Sequence, residues 1–272
     1  MTGFVVVIPA RMASSRLPDK PLAAVAGRPL IAHVISRAQE SAATRVIVAA
    51  DDERILAVAR QCGVEAFLTD PALPSGTDRI AAVAAAEGWG DESIVVNLQG
   101  DEPLTPGALL NDLAALLEQT PQADMATLGV PIRCAEDLAD PNQVKLVTDR
   151  NGRALYFSRA PIPWDREARR AGQPPSVDHA IRHLGLYAYR AGFLRRMSAE
   201  PPAPLEQLEQ LEQLRALDMG AWIQVGRRAE AHPPGVDTPE DLDRVDAFFR
   251  ARPACNAQAG FYRLPARKPA RR

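Results

Sequence analysis

Residues 4–8 of this chain read Phe-Val-Val-Val-Ile, an unbroken run of large apolar and β-branched side chains. A run of this kind is typical of a strand that is buried on both faces of a parallel sheet. Similar runs lie at 45–50, 64–68 and 94–98, and apolar residues at helical spacing separate them at 29–42, 53–62 and 77–87. This alternation predicts an α/β fold with a doubly wound, predominantly parallel sheet flanked by helices.

The second half of the chain is less regular and richer in strand-like segments. Strands are predicted at 125–130, 143–148, 154–157, 184–189 and 222–225, and helices at 205–217 and from 238 onward. Turn residues at 149–152 predict a hairpin, and the polar, proline-bearing stretch 166–178 predicts a mobile loop. Because no change of composition marks a linker, residues 1–249 are predicted to form one domain with a smaller inserted β-rich lobe.

Composition excludes several classes of protein. The chain has 272 residues, of which 46% are hydrophobic and 24% charged, as is usual for a globular protein that buries a full core. No apolar run approaches the roughly 20 residues that a bilayer crossing needs, and the N-terminus lacks a secretory pattern. The scattered Cys62, Cys134 and Cys255 favour a reducing cytoplasm over a disulfide framework.

The charge is distributed unevenly. Residues 250–272 hold seven of the 32 basic residues and none of the 34 acidic ones, which leaves a net charge of −9 on residues 1–249. The basic, proline-containing tail is predicted to be disordered and serves either contact with an anionic partner or solubility. An acidic body argues against a nucleic-acid-binding protein.

The segment after the first predicted strand carries three cations, Arg11, Arg16 and Lys20, and two prolines that limit its freedom. Ligands of open α/β sheets bind beyond the carboxyl ends of the strands, where this segment lies. It contains neither a Walker loop nor a dinucleotide fingerprint, so side chains would have to clamp a phosphate group. The alternative is a solvated basic loop.

Two acidic residues are candidate ligands for a metal ion. Asp101 follows Gly100 at the end of the fourth predicted strand, and Asp237 precedes the last predicted helix. Mg²⁺ prefers one or two carboxylates together with the phosphates of a substrate. Each residue taken alone could instead cap a helix or form a turn, and only their proximity in space would make a metal site.

Residues 75–79, Ser-Gly-Thr-Asp-Arg, enter a predicted helix. Their exposed amides and hydroxyls could bind the edge of a nucleobase, with Arg79 adding donors, while Thr77 could cap the helix.

Seven motifs in order resemble one family. They are VVIPAR-x-x-S-S-R-L-P-x-K-P-L, SGTDR, N-x-Q-GDEP, ALYFSRA-x-IPWDR, RHLG-x-Y-x-YR, PLE…LEQLR and GVDTPEDL, from about Phe4 to about Phe248. Together they are similar to the 3-deoxy-manno-octulosonate cytidylyltransferases, also called CMP-Kdo synthetases. The resemblance implies a Rossmann-like nucleotide-diphospho-sugar transferase fold. It also implies transfer of CMP from CTP to Kdo for lipopolysaccharide biosynthesis, a requirement for Mg²⁺, a homodimer and a cytoplasmic location.

The resemblance also implies roles for individual residues. It assigns catalysis to Arg11, Lys20, Asp101 and Asp237, the triphosphate to Arg11, Arg16 and Lys20, and the metal to Asp101 and Asp237. It assigns the nucleoside to Pro9, Ala10, Ser75, Gly76 and Arg79, the junction of nucleotide and sugar to Gln99, and the sugar to Arg159, His183, Tyr187, Glu212 and Gln213. It divides the domain into a nucleotide-binding part at about 1–130, a sugar-binding and dimerisation part at about 131–230 and a closing helix at 237–249.

Several alternatives stay open at this stage. In the sugar pocket, Arg159 and His183 are expected to bind the acid of the sugar, and Glu212, Gln213 and Tyr187 its hydroxyls. Arg159 could instead pair with Asp165, His183 could be a core residue, and Glu212 and Gln213 could form a solvated helix face. Leu-Glu-Gln occurs three times from 205 to 213, so the pair that faces the sugar is undetermined.

Competing functions are activation of a related acidic sugar, such as 8-amino-Kdo or a sialic acid, and non-catalytic nucleotide binding. A second copy of the chain is expected as a partner, and neither a nucleic acid nor a membrane is.

Overall fold

The fold was obtained as a computed structural model that describes residues 3–13 and 16–251. Its eleven strands within these residues are β1 Val5–Ala10, β2 Ala24–Val25, β3 Arg28–Pro29, β4 Arg45–Ala50, β5 Glu65–Leu68, β6 Ile94–Asn97, β7 Met125–Pro131, β8 Lys145–Thr148, β9 Ala154–Ser158, β10 Ile181–Arg190 and β11 Ile223–Arg227. The ten α-helices of the same residues are α1 Leu30–Gln39, α2 Glu53–Gln61, α3 Gly76–Ala86, α4 Gly107–Glu118, α5 Ala135–Ala139, α6 Arg166–Arg170, α7 Ala191–Ala199, α8 Pro204–Glu209, α9 Gln213–Asp218 and α10 Pro239–Ala251.

The central sheet follows the order β11-β7-β10-β6-β1-β4-β5. Strands β4, β1, β6 and β5 run parallel to one another, and β10 is antiparallel to both of its neighbours, β6 and β7. The hairpin β8–β9 extends the sheet by pairing β8 with the start of β10. The predicted mixed, mostly parallel sheet with a β-rich extension is therefore confirmed.

Apolar layers cover both faces of the sheet. Alternate residues of β1 point to opposite sides, so that Val6 and Ile8 pack against α1, α2 and α4 while Val7 packs against α3 and α7. All three side chains are fully buried. This burial on two faces explains why the strand reads as a continuous apolar run.

Strand β10 is bent by a bulge within the RHLG-x-Y motif. Its register shifts between His183 and Tyr187, and Gly185 between them has a positive φ of 71°. Bulges of this kind re-aim side chains. Here the rings of His183 and Tyr187 lie 5.3 Å apart, closer than residues four apart in a straight strand.

Two predictions in the second half are wrong in part. The predicted loop 166–178 begins with the short helix α6, because Asp165 caps it by accepting from the Ala168 amide. The predicted helix 205–217 is two helices, because Gln210 adopts a left-handed conformation with φ 52° that ends α8. That break separates the Leu-Glu-Gln repeats between α8 and α9.

The last helix, α10, packs on the segment that follows β1. Val245 is buried against Val25 and Leu30, and the Asp246 carboxylate accepts from the Ala26 amide at 2.7 Å. The helix includes Arg250 and Ala251, which the sequence assigns to the tail, and the rest of that tail lies outside the described residues. Within the described ranges, none of the helices has the length and apolar character that a membrane crossing requires.

Candidate active site

Three of the sequence motifs meet at the carboxyl ends of the parallel strands. A side chain on Gly76 would lie 3.2 Å from the Pro9 ring and 3.2 Å from the Gln99 amide, so these segments are in contact. The Gly100 amide donates to the Pro9 carbonyl at 3.2 Å, and a side chain on Gly100 would come within 2.9 Å of that carbonyl oxygen. Glycine at both positions therefore allows the three segments to approach closely.

Lys20 joins the two acidic residues that the sequence selects as metal ligands. Its Nζ atom donates to Asp101 Oδ2 at 2.6 Å, to Asp237 Oδ1 at 3.2 Å and to the Val236 carbonyl at 3.0 Å. Burial lowers the pKa of the ammonium, but the carboxylates of Asp101 and Asp237 raise it by more, so the net shift is upward. Residues 136 positions apart in sequence, Asp101 and Asp237, thus form one charged cluster with Lys20.

The main chain fixes the separation of these two acids. The Val236 amide donates to the Asp101 carbonyl at 2.8 Å, and a side chain on Gly235 would lie 2.8 Å from the same oxygen. Glycine at 235 is needed because any side chain would push the two segments apart. The contact places Asp237 beside Asp101 just before α10 begins.

The other two cations of the predicted phosphate clamp lie at the surface. Arg11 is exposed, directly after β1, and its side chain has no hydrogen bond or ion pair with another described residue. Arg16 is exposed as well and bonds Asp237 Oδ2 through Nη2 at 3.2 Å. Arg16 and Lys20 therefore flank Asp237, whereas Arg11 stands at the strand end with its guanidinium in solvent.

The cluster around Lys20 can accommodate a hard cation. Asp101 and Asp237 offer carboxylate oxygens to one shared positive charge, and the described part of the chain contains no group of three or more His, Cys, Asp or Glu suited to a metal. Mg²⁺ needs only one or two protein carboxylates when phosphates and water complete its shell. The donor set therefore fits a magnesium ion that arrives with a nucleotide.

The SGTDR motif has a different local role at each position. Ser75 caps α3 by accepting from the Asp78 amide at 3.1 Å, so the cap is Ser75 and not Thr77. Arg79 is buried: its Nη1 donates to Thr69 Oγ1 at 2.5 Å and its Nη2 to Asp51 Oδ2 at 3.0 Å. The structure thus places its guanidinium among strand ends rather than in the open site, and contact of Arg79 with a nucleobase stays a prediction.

Replacing Arg79 with alanine is expected to destabilise the fold. Asp51 would lose a buried partner and Thr69 a donor, so the free energy of unfolding should fall by about 3 kcal/mol in urea titrations. Arg60→Ala is the matched control, because Arg60 pairs with Glu53 at the surface and should have little effect. Equal stability of the two variants would contradict the anchoring role.

His183 and Tyr187 lie on the sugar side of the predicted site. The Thr127 hydroxyl donates to the Leu186 carbonyl at 2.7 Å, so it can only accept from His183 Nε2, 2.9 Å away. Burial lowers the pKa of His183 to about 3, and the ring is therefore neutral with an acceptor at Nδ1. Such a ring suits a hydroxyl donor better than the carboxylate expected from the sequence.

Arg159 does not pair with Asp165. Its guanidinium donates to the carbonyls of Glu209 at 2.7 Å, Pro141 at 3.0 Å and Gln210 at 3.4 Å. A guanidinium has five N–H donors, so part of its capacity is left for a ligand. The Glu209 carboxylate also accepts from the Arg159 amide at 2.7 Å, which ties this region to the end of α8.

Each of the three glutamates of the repeat contacts a different part of the molecule. Glu206 pairs with Arg215, Glu209 binds Ser158, and Glu212 lies at 2.9 Å from Ser75 Oγ and 2.8 Å from Thr77 Oγ1. Glu212 is thus the repeat member in contact with the SGTDR motif. Next to it, Gln213 is 4% exposed and its Nε2 atom has no hydrogen-bond partner among the described residues.

A family model and several relatives match this chain. The sequence model of the family described as cytidylyltransferase matches residues 5–223. The chain belongs to the cytidylyltransferase family. Among its relatives, the 3-deoxy-manno-octulosonate cytidylyltransferase of Chromohalobacter salexigens is 56% identical over 247 residues, covering 90% of this chain and 96% of the relative. That of Aeromonas hydrophila is 52% identical and covers 91% and 99%.

Solved structures agree with this placement. The structure of a CMP:2-keto-3-deoxy-manno-octonic acid synthetase complexed with CTP is 39% identical to this cytidylyltransferase, with a TM-score of 0.83 over 92% of this chain and 99% of that one. A cytidylyltransferase of Leptospira borgpetersenii shares the fold at 15% identity and a TM-score of 0.59, over 93% and 89%. The resemblance found in the sequence is confirmed, and the cytidylyltransferase is a nucleotidyltransferase enzyme.

Sequence reasoning about this cytidylyltransferase missed three supporting residues. The Asp51 carboxylate accepts hydrogen bonds from the Met12 amide at 3.0 Å and from the Arg79 guanidinium. Its position directly after β4 could have identified it as a site residue. Asp78 holds Ser75 and Ser198, which only the capping spacing could have indicated. Thr127 orients His183 from the middle of β7, where no local pattern marks it.

Proposed function

We propose that this enzyme transfers CMP from CTP to 3-deoxy-manno-octulosonate and releases pyrophosphate in a reaction that requires Mg²⁺. The observation that carries the proposal is the cluster of Lys20, Asp101 and Asp237 at the carboxyl ends of β1 and β6, beside Gln99. Relatives named 3-deoxy-manno-octulosonate cytidylyltransferase match at 56% and 52% identity over nine-tenths of the chain. The match extends through both halves of the molecule, so it supports the sugar side as well as the nucleotide side.

In this reaction the anomeric hydroxyl of the sugar attacks the α-phosphorus of CTP. The bond from the α-phosphorus to the bridging oxygen breaks, the electron pair leaves with pyrophosphate, and the proton of the attacking hydroxyl is released to solvent. Positioning and neutralisation of charge dominate catalysis of such steps. Lys20 supplies a positive charge next to Asp101, and Arg11 and Arg16 extend that charge toward solvent, where the departing pyrophosphate would lie.

Asp101 and Asp237 are the residues that would hold the magnesium ion. When bound, the ion would neutralise phosphate charge and favour the alkoxide form of the attacking hydroxyl. The side chain of Gln99 has no hydrogen bond to another described residue and lies against Gly76, so its amide is available to the ligand at the boundary of nucleotide and sugar.

The sugar side combines one cation with neutral polar groups. Arg159 provides the positive charge for the carboxylate of the sugar acid, and His183 accepts from a hydroxyl through Nδ1. Burial raises the pKa of the Tyr187 phenol well above its ordinary value, which keeps it neutral at physiological pH. A second copy of the chain as partner stays a prediction from the family resemblance.

A panel of substrates tests the proposal. Pyrophosphate release should be measured with CTP, Mg²⁺ and Kdo, 8-amino-Kdo or a sialic acid in turn, and with ATP and GTP as control nucleotides. The expected result is turnover with CTP and Kdo and its loss on chelation of the metal. Turnover with another sugar acid but not with Kdo would overturn the substrate assignment while leaving the cytidylyltransferase family intact.

A further inference from the structure

One proton is shared among more acceptors than it can serve at the start of α3. The Ser75 hydroxyl oxygen lies 2.8 Å from Asp78 Oδ2 and 2.9 Å from Glu212 Oε1. A serine hydroxyl has a single proton, so it can donate to only one of these carboxyl oxygens. In the contact that does not receive this proton, the two oxygens repel each other unless a second proton lies between them.

The surroundings show which carboxyl group needs the extra proton. Asp78 accepts from the Ser198 hydroxyl at 2.7 Å and from the Ser75 amide at 3.2 Å, so its ionised form is well solvated by donors. Glu212 has one other donor, the Thr77 hydroxyl at 2.8 Å. Charge therefore belongs on Asp78 and the additional proton on Glu212.

We propose that Glu212 is a carboxylic acid in the substrate-free enzyme, that it donates its proton to Ser75 Oγ, and that Ser75 in turn donates to Asp78. Asp78 is then a positioning residue, since it fixes the direction of the Ser75 hydroxyl and through it the protonation of Glu212. The three hydroxyls and the two carboxyl groups form one ordered chain, with Ser198 of α7 at one end and Thr77 of α3 at the other.

The charged and titratable groups that face Glu212 agree with this assignment. Burial raises the pKa of Glu212, the hydroxyls of Thr77 and Ser75 and the Arg215 guanidinium oppose the rise, and Asp78 adds to it. Arg215 is itself paired with Glu206 at 2.6 Å. From β10, the two tyrosines Tyr187 and Tyr189 face the group, and burial raises the pKa of both, so neither contributes charge.

A protonated Glu212 matters for an acidic sugar, and this consequence rests on the proposed function. An ionised Glu212 would place a negative charge near the position that the sugar carboxylate must approach. With Glu212 neutral and His183 neutral, Glu212 does not offset the positive charge that Arg159 presents to the sugar acid. The affinity for a sugar acid should then decline as the pH rises through the pKa of Glu212.

Infrared spectroscopy of the substrate-free enzyme tests the protonation directly. Labelling glutamate carboxyls with ¹³C should reveal an isotope-sensitive carboxylic-acid band at neutral pH that is absent from Glu212→Gln. Glu209→Gln is the matched control from the same repeat, because Glu209 accepts from Ser158 and the Arg159 amide without a shared proton. A wild-type spectrum without the band, or a band that persists in Glu212→Gln, would overturn the proposal.

Two further variants separate positioning from simple structural support. Asp78→Ala frees the Ser75 proton for Glu212, so the midpoint pH of the acid band should fall, whereas a merely structural Asp78 would leave that midpoint unchanged. Ser75→Ala removes the acceptor of the Glu212 proton, so the band should shift in frequency. These readouts need no substrate, so they stand even if the sugar proves to be a different one.

Thermal unfolding and kinetics give the functional readout. A carboxyl with a raised pKa in the folded state stabilises the protein fully below the pKa of the unfolded chain, and this stabilisation is lost as the pH rises through the folded pKa. Glu212→Gln keeps a donor toward Ser75 and an acceptor for Thr77, so its Tm should exceed that of the wild type increasingly as the pH rises. Its KM for the sugar acid should lose the rise with increasing pH that the wild type shows. Loss of more than about 100-fold in kcat/KM with an unchanged pH profile would contradict the neutral form.

Discussion

Asp101→Asn is expected to lower the rate of pyrophosphate release by about 10³-fold or more, because it removes a charged oxygen from the proposed metal site. The fold should survive. Lys20 keeps its bonds to Asp237 and to the Val236 carbonyl, and asparagine has the same shape as the residue it replaces. Burial raises the pKa of Asp101 against the opposing effect of Lys20, so loss of its charge carries little penalty for stability.

Rates measured with CTP and Kdo at saturating Mg²⁺, together with circular dichroism and thermal unfolding, check this expectation. Glu102→Gln is the matched control. Glu102 is the adjacent acid, but it contacts His232 at 3.2 Å and Thr105 at 3.1 Å and not Lys20. Its replacement should change the rate by less than about fivefold. An Asp101→Asn enzyme that keeps a tenth or more of the wild-type rate would contradict the role of Asp101 as a metal ligand.

The N-terminal half of the fold could be predicted from sequence because its signals are local. Most residues of 4–8, 45–50 and 94–98 are buried, on both faces of the sheet, and for this reason these segments are recognisable as mainly apolar runs. Each strand is followed along the chain by its helix, so the order of elements also gives the layers of the sheet. The strand assigned to 45–50 matches the observed bounds of β4.

The C-terminal half is determined by contacts between distant segments. At the bulge around Gly185 the partner on one edge of β10 changes from β8 at Ile181 to β6 at Tyr187, while β7 pairs along the other edge on both sides of the bulge. The left-handed Gln210 lies between Glu209, which binds Ser158, and Glu212, which contacts the start of α3. The spacing of apolar residues marks neither the bulge nor the break. Taken alone it therefore predicts an unbroken strand and an unbroken helix.

The same distinction applies to the site residues. Lys20 and Asp101 could be selected because each follows a predicted strand, but Asp237 is marked only by a helix-capping pattern and its proximity to Asp101 depends on Gly235. Arg79 illustrates the opposite case. Its motif suggests a ligand contact, yet Asp51 and Thr69, from the ends of two other strands, bind its guanidinium in the interior.

Lys20→Met should have the largest combined effect on activity and stability. It leaves Asp101 and Asp237 adjacent without the ammonium that bonds both, and it removes a positive charge from the proposed phosphate site. We expect the rate of pyrophosphate release to fall by about 10²–10⁴-fold. The free energy of unfolding should decrease by about 1–3 kcal/mol, less than for a fully buried pair because the Asp101 side chain is 32% exposed.

A double-mutant cycle separates the two effects. Lys20→Met combined with Asp101→Asn removes both charges of the shortest contact, so urea unfolding should recover at least half of the lost stability while turnover stays absent. Lys20→Arg keeps the positive charge but replaces a compact ammonium by a planar guanidinium, so it should retain stability better than activity. If the double variant were as unstable as Lys20→Met, the repulsion between Asp101 and Asp237 would not be the cause of the instability. Lys20 would then act through its packing, and not as the cation that allows Asp101 and Asp237 to lie side by side.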